Sequence, residues 1–357
     1  MSGPASDERA ARVVTHLDLG CEFRGGQRQV LYLAAEQARA GLKVRLAAPA
    51  GSPILDRASG LGLPVFDLPG RRDFDPRNLA ALARSLAPGE ILHTHDARAA
   101  SLGALVRLVR PGVRLVHTRR VSYPLGRGWS SMKYRVADLV ACVSREVEEA
   151  VRAAGATRTA VIPSAIVLDR YGPRLGGNGG RLGIIGALSP QKGHAQFFEA
   201  LSRMSEIPEV WVVGAGDLEG ELKALAARLG LGERIHWKGE VESPRVLPHL
   251  DVLVVPSAHG EGSSGVVKEG WASGVPVVCS DLPANLELVR DGENGLVFPC
   301  GDPAALAQCL ERLLGDSGLG ERLAARGLAD VRAYGDQDMR AAYDRVYAAL
   351  GMNRAPA

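Results

Sequence analysis

A chain of 357 residues exceeds the usual single domain, so two domains of ordinary size are expected. With 46% apolar and 23% charged residues the composition is globular, which excludes a disordered or low-complexity chain. The net charge of +3 hides opposite halves: the first 170 residues carry nine more basic than acidic side chains and the rest six more acidic than basic, and no nucleic-acid partner is expected.

The opening "MSGPASDERAARVV" has no basic-then-apolar signal pattern, and no later run approaches the roughly 20 apolar residues that span a bilayer, so the expectation is a cytoplasmic protein. From Arg12 onward, β-branched and aliphatic runs predict strands over 12–18, 43–49, 64–69, 91–95, 113–118 and 139–144. Between the first two, "QRQVLYLAAEQARAG" spaces Val30, Leu31, Leu33 and Ala34 as a helix does, with Gly41 as the stop. Asp75 followed by Pro76 reads as an N-cap with proline at the first helical position, rather than as a metal-binding pair with Asp73. "HTHD" (93–96) ends a strand and lacks further ligands at a recognisable spacing, so His93 reads as packed and Asp96 as the cap of the next helix. From Arg98 to Arg135, nine basic residues occur without an acid. A solvated helix face and an anionic acceptor or membrane surface both stay open for that run.

"PRLGGNGGRL" interrupts the pattern with four glycines and an asparagine and reads as a hinge-like linker over 167–180. Strands are predicted again over 181–188, 209–216, 234–239, 251–257 and 276–280. "GAGDLEG" (214–220) misses the full dinucleotide fingerprint and carries little weight as an NAD site. "GDQDMRAAYDRVYAALG" predicts a closing helix with Met339, Tyr343, Val346 and Tyr347 on or near one face; packing on the second domain and return to the first both stay open. Five cysteines at these spacings suit neither a disulfide framework nor a zinc knuckle. Strands alternating with helices imply an α/β protein of two doubly wound Rossmann-like domains, 1–166 and 181–335, with ligands at the carboxyl ends of the strands and an interdomain cleft as the expected site.

The segment "EGSSGVVKEG" (261–270) concentrates the chemistry. A strand ends near Ser257, glycines and serines follow, and a helix begins. Amides of Gly262, Ser263, Ser264, Gly265 and Val266 at such a helix end form an anion site suited to phosphate. Glu269, a two-oxygen acceptor further along, suits vicinal hydroxyls, and Glu261 could accept from another; an ordinary solvated glutamate is the alternative for each. Lys268 between them reads as solvated.

Together with "RGGQRQVLYLAAEQARAG", "ILHTHDARAASLGALV", "VHT" and "IIGALSPQKG", all in matching order, this region resembles the retaining glycosyltransferases of family four, with the GT-B fold and two glutamates separated by seven residues. The resemblance implies an acceptor-side first domain and a nucleotide-sugar-binding second domain. It implies that Glu269 holds the donor ribose, Glu261 faces the transferred sugar, and Lys192 neutralises the diphosphate. Gly25 and Gly26 would approach the diphosphate or acceptor, and His117 would line the sugar site, giving His117, Lys192 and Glu261 as the catalytic set. Arg119 and Arg120 are the acceptor or membrane candidates. No metal or other cofactor is expected beyond the nucleoside-diphosphate sugar co-substrate. The acceptor would be a glycan, lipid-linked or of lipopolysaccharide type, met with peripheral contact at the inner face of an anionic membrane. Ala187 stands where the family often has an arginine, and "PSAIV" (163–167) departs from its usual asparagine, glycine and aspartate, which keeps a non-transferring nucleotide-sugar-binding protein and a GT-B epimerase as alternatives.

Overall fold

The computed structural model describes residues 13–70, 75–123, 125, 126, 128–176 and 179–351; Asp73 and Arg127 lie outside them. The chain forms two compact units, one of residues 1–165 with 336–357 and one of residues 166–335.

The first unit holds strands β1 (Val14–Leu17), β2 (Val44–Pro49), β3 (Val65–Leu68), β4 (Ile91–Thr94), β5 (Arg114–Arg119), β6 (Leu139–Cys142) and β7 (Thr159–Val161). They pair in parallel in the order β3-β2-β1-β4-β5-β6-β7. Side chains alternate across the sheet as the pleat requires: Val14, Leu46 and Ala48 enter one core, Leu17 and Ala47 the other. Two carboxylates cap helices as expected, Asp75 accepting from the amide of Arg77 and Asp96 from those of Arg98 and Ala99. The closing helix Asp336–Ala349 completes this unit, with Met339, Tyr343, Val346 and Tyr347 buried in the same core as Val14 and Val30.

The second unit repeats the grammar with β8 (Leu182–Ile185), β9 (Val210–Val213), β10 (Ile235–Gly239), β11 (Val252–Val255), β12 (Val277–Ser280) and β13 (Leu296–Phe298), all parallel, in the order β10-β9-β8-β11-β12-β13. Val252 and Val254 enter one core, Leu253 and Val255 the opposite one. The stretch read as a free linker is fastened to this unit. The amide of Arg174 donates to the Ser273 carbonyl at 2.8 Å and that of Leu175 to the Pro248 carbonyl at 2.8 Å. The chain enters at Ile166, whose amide donates to the Tyr334 carbonyl at 3.0 Å, and leaves after Gly335, which bridges Ile166.

No helix among the described residues is long and apolar enough to cross a membrane. Much of the basic run is consumed internally. Lys133 and Arg119 are buried, Arg107 and Arg114 lie 3.4 and 3.7 Å from Asp138, and Arg135 donates to the Ala154 carbonyl.

Candidate functional site

In the second unit, β8 runs into Gly186, the short turn Pro190–Lys192 and the helix His194–Leu201. Gly186 makes room for the lysine that follows: a Cβ there would stand 3.3 Å from Cγ and Cδ of Lys192. Gly193 is required on two counts, a φ of +68° and a Pro256 carbonyl that a Cβ would overlap at 1.8 Å. The lysine held between them donates from Nζ to Oε1 of Glu261 at 2.6 Å. The same oxygen accepts from the Ser257 hydroxyl at 2.6 Å, and Glu261 is only 9% exposed. The Gln191 carbonyl accepts from the amide of Ala258 at 2.8 Å, and its side chain donates to the Gly260 carbonyl at 3.0 Å. The loops after β8 and β11 are therefore stitched together at the carboxyl end of the sheet, where parallel α/β sheets bind ligands.

From Glu261 the chain continues through Gly262 and Ser263 to Ser264, and the helix Gly265–Ala272 begins. Ser264 occupies the N-cap position, yet its side chain makes no capping bond and its fully buried hydroxyl has no partner among the described residues. The first amides of this helix, from Gly265 and Val266 onward, are thus left to an external acceptor, and the helix dipole favours an anionic one. Glu269 is half-buried one turn in, and its carboxylate has no hydrogen-bond partner among the described residues. Beneath the loop, the Ser280 hydroxyl donates to the Ser257 carbonyl at 2.7 Å and Asn285 donates to the Ser280 carbonyl at 2.9 Å, making the floor rigid.

In the first unit, Gly25 and Gly26 open the helix Gly25–Arg39. A Cβ on Gly25 would meet nothing within 4 Å and one on Gly26 only Cδ of Arg120 at 3.9 Å, so the backbone here faces open space. Asp18, just past β1, takes the Gly20 amide at 2.8 Å and Gln27 at 3.2 Å on one carboxylate oxygen. Burial first, and then the charge of Asp96, push its pKa up to about 6.

His117 departs from the expected placement. It lies inside β5 rather than at its end and is 1% exposed. Nδ1 lies 2.5 Å from the Thr94 hydroxyl, Nε2 lies 3.1 Å from the Lys133 carbonyl, and the Tyr134 ring meets it edge-on. Burial takes its pKa down to about 3, so it is a neutral, packed ring with both nitrogens used. Thr118, next in line, faces the opposite layer and joins His93 at 2.6 Å. Arg119 is likewise committed, to the Tyr134 hydroxyl at 3.0 Å and the Tyr123 carbonyl, which removes it from any membrane surface. Arg120 is half-buried and donates to Nδ1 of His95 at 3.3 Å.

That last contact opens a buried relay. Arg120 can only donate, so Nδ1 of His95 accepts and its Nε2–H donates to Nδ1 of His16 at 2.9 Å; Nε2–H of His16 then donates to Oε1 of Gln37 at 2.8 Å. His93 sits against both rings, held by the hydroxyls of Tyr347 and Thr118. Burial lowers all three pKa values, to about 4 for His16 and well below the usual range for His93 and His95. One nitrogen from each ring lies within 4.8 Å of the others, so His16 is the further neighbour that the spacing of "HTHD" did not reveal. Every ring nitrogen is already engaged by a hydrogen bond.

Residues 23–170 match the family described as Glycosyltransferase Family 4, and residues 179–316 match Glycosyl transferases group 1. The phosphatidyl-myo-inositol mannosyltransferase of Mycobacterium leprae is 31% identical over 351 residues, covering 90% of this chain and 92% of that protein. The chain belongs to glycosyltransferase family 4. The lipopolysaccharide core biosynthesis glycosyltransferase LpsE of Rhizobium meliloti is 35% identical to this glycosyltransferase over 144 residues, 40% of this chain and 42% of that protein. In fold, the glycosyltransferase matches Anabaena HepE, solved in complex with UDP, at a TM-score of 0.83 and 18% identity over 95% of this chain and 100% of that one, which makes the architecture GT-B.

Within the glycosyltransferase, Lys192, Glu261, the 262–266 turn and Glu269 gather at one end of the second sheet, and Gly25, Gly26 and Arg120 at one end of the first. Lys268 is the clearest correction. Expected in solvent, it is 0% exposed, donates to the Ser263 hydroxyl at 2.7 Å and lies 5.0 Å from the Tyr334 ring centroid. Burial brings its pKa down to about 7. Its neighbours Val267 and Trp271 are also buried, so a hydrophobic-face reading extended through position 268 carried the only available signal.

Proposed function

We propose that this glycosyltransferase moves a sugar, with retention of anomeric configuration, from a nucleoside-diphosphate sugar to a hydroxyl of a lipid-linked or lipopolysaccharide-type glycan. The carrying observation is the loop and helix 257–272, which offer an uncapped helix end, Glu261 paired with Lys192 from the loop after β8, and the Glu269 carboxylate. An uncapped helix end suits a diphosphate, and Glu269, displaced one turn from it, suits ribose hydroxyls without repelling the phosphates. Glu261 would then accept from a sugar hydroxyl rather than act as a nucleophile, a reading supported by its bonds to Lys192 and Ser257. Attack from the leaving-group face, with the departing phosphate taking the acceptor's proton, needs growing negative charge stabilised. Preorganised amides and Lys192 supply that. The acceptor class follows relatives named for phosphatidyl-myo-inositol and lipopolysaccharide core.

A thermal-shift screen of UDP, GDP and ADP sugars tests the donor, because a ligand that binds the native state raises its stability. Glu269→Ala should raise the dissociation constant for the preferred donor about 10- to 100-fold, as losing hydrogen bonds to a charged group costs about 1.5–3 kcal/mol. Calorimetry checks this, and near-wild-type affinity would remove Glu269 from the ribose. For peripheral membrane contact the exposed Leu108 and Val109 are the surface candidates, Arg107 and Arg110 beside them being engaged by Asp138 and the Leu86 carbonyl. Sedimentation with anionic and neutral liposomes tests it, and equal weak binding to both would sink it.

A further inference from the structure

Lys268 and Ser263 belong to the segment that carries Glu261 and Glu269, yet the lysine faces away from solvent. From inside the helix Gly265–Ala272 its ammonium reaches back five residues to the Ser263 hydroxyl at 2.7 Å. On its other side stands the ring of Tyr334, 5.0 Å away, and the carboxylates of Glu287 and Glu269 attract its charge. Tyr334 is itself fixed, since its carbonyl takes the amide of Ile166. Burying an ammonium is costly and is tolerated where it makes hydrogen bonds and ion pairs. The contact closes a loop of few residues around the helix start: with Ser263 held, the chain from Gly262 to Val266 has little freedom, and Ser264 with its unpartnered hydroxyl is held inside that span.

We infer that Lys268 is a positioning residue that clamps the 262–266 turn through Ser263 and so pre-orients the amides at the start of the helix Gly265–Ala272 for the donor's diphosphate. This rests on the donor reading above. Lys268 touches no substrate in this role; it acts through the geometry of Ser263. A preordered turn binds an anion without first paying to freeze its own backbone, so loss of the clamp weakens ground-state binding more than it slows the chemical step.

Three measurements on the full chain decide it. Hydrogen exchange in the ligand-free protein should show the amides of 262–266 exchanging about tenfold faster in Lys268→Met, while amides of β11 and β12 are unchanged. Calorimetric titration with UDP, GDP and ADP should show the best ligand weakened about tenfold, and donor turnover should show KM raised by a similar factor with kcat within about twofold. Ser263→Ala should reproduce both effects, and the double variant should be no worse than the more affected single one. Ser263→Ala also keeps the test intact if Lys268→Met fails to fold. Unchanged exchange at 262–266, or additive losses in the double variant, would overturn the clamp even if the nucleotide binds. Failure of wild-type protein to bind any of UDP, GDP and ADP would sink the donor reading and this proposal with it.

Discussion

Lys192→Ala is expected to lower sugar transfer by about 10²- to 10³-fold, the range found when one preorganised donor to a developing anion is removed. The geometry adds a second consequence. Lys192 is the cation on a carboxylate that is almost sealed from water, and the Ser257 hydroxyl alone would be left to face Glu261. Stranding a charge in that way destabilises the fold. Because the lysine side chain is 24% exposed and water can replace it in part, the loss should be nearer about 1–3 kcal/mol than the full cost of a sealed pair. The two effects separate in a double variant. Lys192→Ala combined with Glu261→Gln removes the stranded charge and should recover most of the melting temperature, while turnover stays low. Steady-state kinetics alongside thermal unfolding checks both. Recovered turnover would mean that Lys192 serves only to neutralise Glu261.

Acid should open the first unit before the second. His16, His93, His95 and His117 are buried and neutral in the first unit, whereas among the described residues His194 alone is so placed in the second, with both ring nitrogens unpartnered and a pKa near 4. Each has a folded pKa below its unfolded value of about 6.5, so the unfolded chain binds more protons between the two. The stability they confer is complete above pH 6.5 and is lost as pH falls toward 4 and then 3. Four such groups in the first unit against one in the second make the first unit lose more of its stability on acidification. Asp18 works in the opposite sense, since its pKa is raised to about 6 and the fold takes up its proton first, but it is one group against four. Three of the four tryptophans, Trp211, Trp237 and Trp271, lie in the second unit. In an acid titration, far-UV circular dichroism should therefore fall before tryptophan emission shifts. Coincident transitions, or a shift of emission first, would contradict the assignment. His194→Leu should push the emission change to lower pH without moving the first transition.

The sheets were legible because a parallel strand buried on both faces is a continuous apolar run, as in "DVLVVPS" and "PVVCS". The strands that escaped, Thr159–Val161 and Leu296–Phe298, are three residues long and sit at sheet edges, too short to show a period. The loop and helix 257–272 were legible as such because their residues are close in sequence. The layer that His117 enters was not legible, because strand alternation decides it and a one-residue difference reverses it. The relay was invisible because His16 and His95 are 79 positions apart, a pairing set by the adjacency of β1 and β4 in the sheet. The basic run looked like a surface because the carbonyls and Asp138 that absorb it belong to other elements.

The closing helix gives the chain an order of assembly. Tyr343 and Tyr347 fill the core of the first unit, yet they are made only after all of residues 166–335. During synthesis the second unit has its whole sequence before the first does. The amino-terminal sheet must wait with an open seat beside His93 and Thr118 while its neighbour folds. A chain cut after Gly335 would thus carry the whole sequence of the second unit and a first unit without Tyr343 and Tyr347, the reverse of the order in which their first strands are translated.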